Sequence, residues 1–267
     1  MREARHDQAT GLRRLFARDT LQVLSVRGAE DCGATAVTLE LAAALVALGH
    51  RPLIIDLEKG KAAKALGLKP HYELDDVICG EKSIREILLT AGNGLTVLPA
   101  MRGLERAAER GSWKRTLSSL LRQAPQAFNV WLINGVAGPI AQTESPLMVI
   151  APDRDAITAA YAQIKSLARD HGHREFRVVV DRAASESVAL SVYANIAETS
   201  RRFLAARLDY CGYLPADERL VSSKRAPARA KLVQGRSPRQ HAFSRLAASV
   251  FAPVPGNASP AALHAGR

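Results

Sequence analysis

The sequence predicts an α/β fold: a doubly wound, mostly parallel sheet with helices on both faces. Three observations carry this. Seven short apolar runs alternate with longer stretches of helical periodicity along 267 residues, as successive βαβ units do. The apolar runs are continuous rather than alternating, as strands buried on both faces must be. The first run ends on a glycine-framed turn, Gly28 to Thr35, that opens a helix. Sheets of this kind place their ligands at the carboxyl ends of their strands.

The elements follow in order. Leu21–Val26 is the first strand, and Ala36–Leu48 is the helix after the glycine turn. Pro52–Asp56 is a second apolar strand. Ser83–Thr90 has helical spacing and precedes the strand Leu95–Leu98. A longer helix is predicted over Arg102–Arg122, then strands at Val130–Ile133 and Leu147–Ala151. Arg154–Asp170, Phe176–Val180, Ser187–Ala206 and Tyr210–Leu214 continue as helix, strand, helix, strand. Pro238–Phe251 closes the series, with Ser237-Pro238 suited to a cap and first turn. Right-handed crossovers join such parallel strands.

Composition sets limits on function. The chain is 47% hydrophobic and 24% charged, an ordinary globular balance. No apolar run reaches the eighteen or so residues of a membrane span. The charged start, Met1 to Asp7, lacks the apolar segment of a secretory signal. Cys32, Cys79 and Cys211 are few and widely spaced, which suits reduced thiols in a cytosol and not a disulfide framework or a zinc site. Histidines are scattered, and no His/Cys/carboxylate cluster has ligand spacing. The net charge is +11. Nine of the 37 basic residues and no acidic one follow Glu218, so the core is nearly neutral and the tail basic. A basic tail suits an anionic surface, lipid or nucleic acid. Its only aromatic residues are Phe243 and Phe251, which does not favour base stacking.

Gly28, Gly33 and Thr35 match the phosphate-loop pattern G-x-x-x-x-G-K-[ST], but Ala34 stands at the lysine position. That lysine holds the β- and γ-phosphates. Four passages, the first of them built on this loop, resemble the MinD/ParA branch of P-loop ATPases and, within it, the FlhG group, also called FleN or YlxH. The passages are Gly28–Thr35 with Leu39–Leu45 and Leu48-Gly49, Ile54–Glu58, Ile157–Lys165 and the N-terminal Asp7-Gln8-Ala9-Thr10-Gly11-Leu12-Arg13. The resemblance covers most of residues 7–250. The last passage is its most specific part, because MinD and ParA proteins lack that extension.

The resemblance implies a role. FlhG proteins act with the signal-recognition-type GTPase FlhF to set flagellum number and position, and their N-terminal motif activates that GTPase. Here Gln8 would orient the attacking water, with Asp7, Ala9, Leu12 and Arg13 seating the short helix in FlhF. The resemblance also implies a homodimer and contact with flagellar switch components or transcription factors. The organisation expected is a FlhF-activating segment at 1–19, the P-loop domain at 20–221, a basic linker and amphipathic helix at 222–252, and a disordered tail at 253–267. The expected location is the cytoplasm, with peripheral contact at the inner face of the cell membrane.

The resemblance also supplies the nucleotide-binding set: Gly28, Ala29, Glu30, Asp31, Cys32, Gly33, Ala34, Thr35, Asp181, Arg182, Pro215 and Asp217. Thr35 would meet a magnesium ion. Asp56, Glu58 and Asn134 stand where the family keeps its switch and Walker B acids. Several of these depart from the family pattern. Ala29 and Ala34 replace lysines, and Glu30 and Asp31 replace glycines. Glu58 is one methylene longer than the water-positioning acid, and Asn134 is neutral. A carboxylate about 4 Å from a phosphate oxygen opposes binding by roughly 4 kcal/mol at an effective dielectric near 20. ATP and magnesium binding is therefore expected to be weakened or lost, which makes the chain a pseudo-ATPase. The alternative is a working ATPase in which Arg27, Lys59 or Lys61 replaces the lysines. A further alternative is a nucleic-acid-binding or transcription-antagonising partner.

At the other end, Phe243, Leu246, Ala247, Val250 and Phe251 fall on one helical face. Two readings of that face stay open. Phe243, Leu246, Val250 and Phe251 contact a membrane surface, or the helix packs on the sheet.

Overall fold

The computed structural model describes residues 21–29, 32–109, 113–135, 145–216 and 237–251. Its strands are β1 Gln22–Gly28, β2 Pro52–Asp56, β3 Leu89–Thr90, β4 Thr96–Pro99, β5 Val130–Asn134, β6 Leu147–Ile150, β7 Glu175–Ala183 and β8 Arg207–Pro215. Its helices are α1 Ala34–Ala47, α2 Lys61–Ala65, α3 Leu74–Ile78, α4 Ile84–Ile87, α5 Met101–Glu109, α6 Trp113–Leu121, α7 Arg154–Asp170, α8 Glu186–Leu204 and α9 Pro238–Phe251. The strands make one sheet in the order β3-β4-β2-β5-β1-β6-β7-β8. Every pairing is parallel except β3 with β4.

Each strand side chain points to one of two faces. On one face Leu24, Val26, Ile54, Leu132 and Val149 pack under α1 and α9. The sequence of α1 is apolar nearly all round, as expected of a helix covered on two sides; it lies between the sheet and α9. The opposite face holds two clusters. Leu53, Ile55, Trp131 and Ile133 pack with Leu104 and Leu117 of α5 and α6. Met148, Ile150, Val178 and Val180 pack with Ile164, Val192 and Ile196 of α7 and α8.

All seven expected strands are present. The helix expected at Ser83–Thr90 is shorter. Its helical turn ends at Ile87, and Leu89-Thr90 then pairs antiparallel with Val97 and Thr96 as an edge strand. The single helix expected over Arg102–Arg122 is two, α5 and α6. Helices α2 and α3 have five residues each, too short to leave a periodic signal. Both are set by side-chain acceptors at their starts. The Glu73 and Asp76 side chains form a reciprocal capping box on α3, and Asp56 receives the first-turn amides of α2. Helix α5 crosses α3 at Gly103, where a Cβ would lie 2.4 Å from the Asp75 nitrogen.

Candidate functional site

The loop after β1 has the backbone frame expected of it. Gly33 caps α1 with φ of 91°, in the left-handed region that disfavours side chains. A Cβ there would also lie 2.9 Å from Asp181 Oδ2, so the turn abuts the end of β7. At Gly28 a Cβ would fall 2.0 Å from Cys32 Sγ and 3.0 Å from the Val149 carbonyl. Cys32 is buried against Gly28, its amide donates to the Ala29 carbonyl at 3.2 Å, and burial pushes its thiol pKa up. Ala34 lies at the start of α1 beside Gly28, followed by Thr35. Gln163 of α7 donates to the Gly28 carbonyl at 3.0 Å. Glu30 and Asp31 lie outside the described residues.

Strand register brings the acid positions together. Val26, Asn134 and Asp56 are level across β1, β5 and β2. The Asn134 amide donates to Asp56 Oδ1 at 3.2 Å, and Thr38 Oγ1 donates to Asn134 Oδ1 at 3.3 Å. Asp56 Oδ1 also accepts from the Glu58 amide at 3.0 Å, and Oδ2 accepts from the Ala62 amide at 2.9 Å. Asp56, Asn134 and Thr38 are all buried. Two carboxylates at these positions would need a cation or a shared proton between them. An amide beside a carboxylate satisfies both groups internally. Glu58 lies over Gly135, where a Cβ would meet its Oε1 at 2.7 Å, and its Oε2 pairs with Lys61 at 3.0 Å.

Two of the three candidate substitute cations, Arg27 and Lys61, are engaged elsewhere. Arg27 is buried with its Nε donating to Ser25 Oγ at 2.9 Å, and burial lowers its pKa to about 10. Arg27 and Ser25 lie on the sheet face opposite Val26, away from α1. Lys61 faces Glu58. Lys59, at φ of 52°, borders a cleft of about 390 Å³ at the ends of β2 and β4, which His71, Tyr72, Met101 and Arg102 also line.

Asp181 and Pro215, which the resemblance assigns to the side of the site that meets the base, share a partner in Arg239 of α9. Arg239 is buried, with only 6% of its surface exposed. It precedes Phe243 by four residues and so shares its face; its guanidinium carbon lies 5.2 Å from the Phe243 ring centre. Its Nη1 donates to Asp181 Oδ1 at 2.9 Å and to the Pro215 carbonyl at 2.8 Å. Its Nε and Nη2 grip Glu40 of α1 at 3.0 and 3.1 Å. Burial works against the Arg239 charge, but the Glu40 hydrogen bonds and the Asp181 charge outweigh it and raise the pKa. Burial pushes the Asp181 carboxyl up against the pull of Arg239. Arg182, at φ of 58°, lies with its Nε 3.7 Å from Asp181 Oδ2.

Helix α9 therefore lies on the sheet in this structure. Phe243, Leu246, Ala247 and Val250 are buried in the core, and Phe251 packs at its edge. The face read as a candidate membrane surface is turned inward. The positions Asp7, Gln8, Ala9, Leu12 and Arg13, and Asp217, lie outside the described residues. Among the described residues no cluster of three or more metal-ligating side chains occurs, and no helix is long and apolar enough to cross a membrane. Sequence reasoning missed Thr38, Glu40, Gln163 and Arg239. Of these only Arg239 had a usable signal, its i−4 spacing from Phe243.

Parallel strands around a glycine-framed strand-turn-helix, with acid positions at neighbouring strand ends, define a P-loop scaffold of the MinD/ParA class. MinD from Aquifex aeolicus superposes with a TM-score of 0.64 at 21% identity, covering 88% of this chain and 98% of that one. MinD from Pyrococcus horikoshii, solved with Mg-ADP, superposes with a TM-score of 0.59 at 18% identity, covering 86% and 96%. No protein-family model matches the chain. The antiactivator FleN of Pseudomonas aeruginosa is 31% identical over 252 residues, 89% of each protein. The chain belongs to the FleN (FlhG) family of MinD/ParA P-loop proteins.

Proposed function

We propose that the protein is a FlhG-type regulator of flagellum number and placement that binds and stimulates an FlhF-type GTPase, with its own ATP handling weakened or lost. Similarity to FleN over 89% of the chain supports the regulatory role. Asp7–Arg13 supplies the activating contact, and Gln8 orients the hydrolytic water in the partner. It acts in the cytoplasm. Membrane contact through Phe243, Leu246 and Val250 requires α9 to leave the sheet.

The observation that supports weakened ATP handling is that the acids at the site already have partners. Asp56 is held by Asn134 and by backbone amides, Glu58 by Lys61, and Asp181 by Arg239. With Ala29 and Ala34 at the lysine positions, these residues do not fit Mg-ATP. Retention of Gly28, Gly33 and Thr35 supports the other reading, an ATPase with an altered loop.

Two measurements test the proposal. Turnover of the FlhF GTPase is expected to rise with the full chain and to stay basal with Gln8→Ala. Equal rates with and without the wild-type chain would remove the activating role. Turnover of ATP at family-like rates, abolished by Thr35→Ala, would establish the altered-loop ATPase instead.

A further inference from the structure

We propose that Arg239 is a built-in occupant of the base side of the nucleotide site, which keeps α9 docked and a nucleotide base out without any ligand. This rests on the reading that ATP handling is weakened or lost, and it supplies a mechanism for it.

Four parts of the fold meet at this guanidinium. Glu40 comes from the loop's own helix α1, Asp181 from the end of β7, the Pro215 carbonyl from the end of β8, and Arg239 from α9. Asp181 and Pro215 are the positions that the resemblance assigns to the base, and Arg239 Nη1 bonds to both. A base amino group seeking those acceptors meets the Arg239 guanidinium already bonded to them. The fit is planar and directional. Nε and Nη2 face the two Glu40 oxygens, the fork geometry in which an arginine grips a carboxylate most strongly. Phe243 supports the guanidinium from below. The loop is held in the same assembly, because Gly33 approaches Asp181 too closely for any side chain.

The linkage has two consequences. A nucleotide base and the Arg239 contact exclude one another, so the apparent affinity for nucleotide falls in proportion to the fraction of molecules with the base side open. Because Arg239 lies in the first turn of α9, the same contact anchors the apolar face of that helix on the sheet. Docking of α9 then needs no nucleotide, and a bound base would weaken it by the same factor.

The test uses the full chain as wild type, Arg239→Met and Glu40→Gln. Met retains the apolar stem against Phe243 and removes the donors. Hydrogen exchange over residues 238–251 is expected to quicken by roughly tenfold or more in Arg239→Met, and by less in Glu40→Gln, which keeps the Asp181 contact. A fluorescent ATP analogue is expected to bind Arg239→Met roughly tenfold tighter than wild type. Unchanged exchange in both variants, with wild type still blind to ATP, would overturn the proposal and leave the weak-nucleotide reading intact. Firm ATP binding by wild type would end that reading. The proposal would then survive only if Arg239→Met bound tighter still, and equal affinities would remove both. Should Arg239→Met fail to fold, exchange in Glu40→Gln decides, and a wild-type rate there overturns the clamp.

Discussion

Replacing Asn134 by Asp tests the reasoning about the acid cluster most directly. The Asn134 amide lies 3.2 Å from Asp56 Oδ1, and both residues are almost fully buried. The substitution keeps the shape and the acceptor for Thr38, but it exchanges a donor for a second carboxylate. The lost charge-assisted hydrogen bond is worth about 1.5–3 kcal/mol. Two full charges at that separation repel by about 5 kcal/mol at an effective dielectric near 20. Protonation of one carboxyl relieves part of this, so a net loss of roughly 3–5 kcal/mol is expected at neutral pH. The sign with pH follows. A carboxyl whose folded pKa is raised costs stability as pH climbs from its ordinary value, about 4, through the raised one. The variant should therefore lie closer to wild type at pH near 5 than at pH near 7.5. Magnesium should recover part of the loss, because a divalent cation replaces the missing donor. Urea unfolding followed by circular dichroism, in chelator and in magnesium, measures each quantity. Asn134→Ala serves as the control without added charge. A variant within about 0.5 kcal/mol of wild type in chelator at neutral pH would refute the argument.

Three further outcomes follow from the structure. Gly28→Ala drives a methyl into Cys32 Sγ and should cost about 1–3 kcal/mol. Adding Cys32→Ala should recover part of it, and strict additivity in a double-mutant cycle would contradict the contact. Phe243→Ala empties a buried site under α9 and should cost about 3–5 kcal/mol in urea unfolding; a loss near zero would mean that α9 is undocked in solution. The Glu86 carboxyl, held by the Ser83 amide and hydroxyl and by Lys82, has a pKa lowered from 4.5 to about 2. Its contribution is present above the ordinary carboxylate range and lost as pH falls toward 2. Carboxyl NMR should place its midpoint near 2, and a midpoint above 4 would exclude the capping box.

Much of the framework was legible along the chain because it is local. Pro52–Asp56, Arg154–Asp170 and Pro238–Phe251 have the bounds that periodicity and caps predicted, since each depends on residues a few positions apart. The short helices α2 and α3 were not legible. They exist because Asp56 and Glu73 accept their first-turn amides, and five residues hold too few apolar positions to show a period. The edge strand β3 was hidden for a related reason. Its two residues count as a strand only because β4 lies beside them.

What the sequence determined by itself was the strand-turn-helix frame, the family, and the replacement of loop lysines by Ala29 and Ala34. Those follow from identity and order alone. Only the tertiary structure decided which groups satisfy one another. Asn134 meets Asp56 across 78 residues because β5 and β2 are in register. Arg239 meets Glu40 across 199 residues because α9 packs on α1. It also decided that the apolar stripe of α9 faces the sheet. A helical stripe records that an apolar surface exists, and the packing of distant elements determines what covers it.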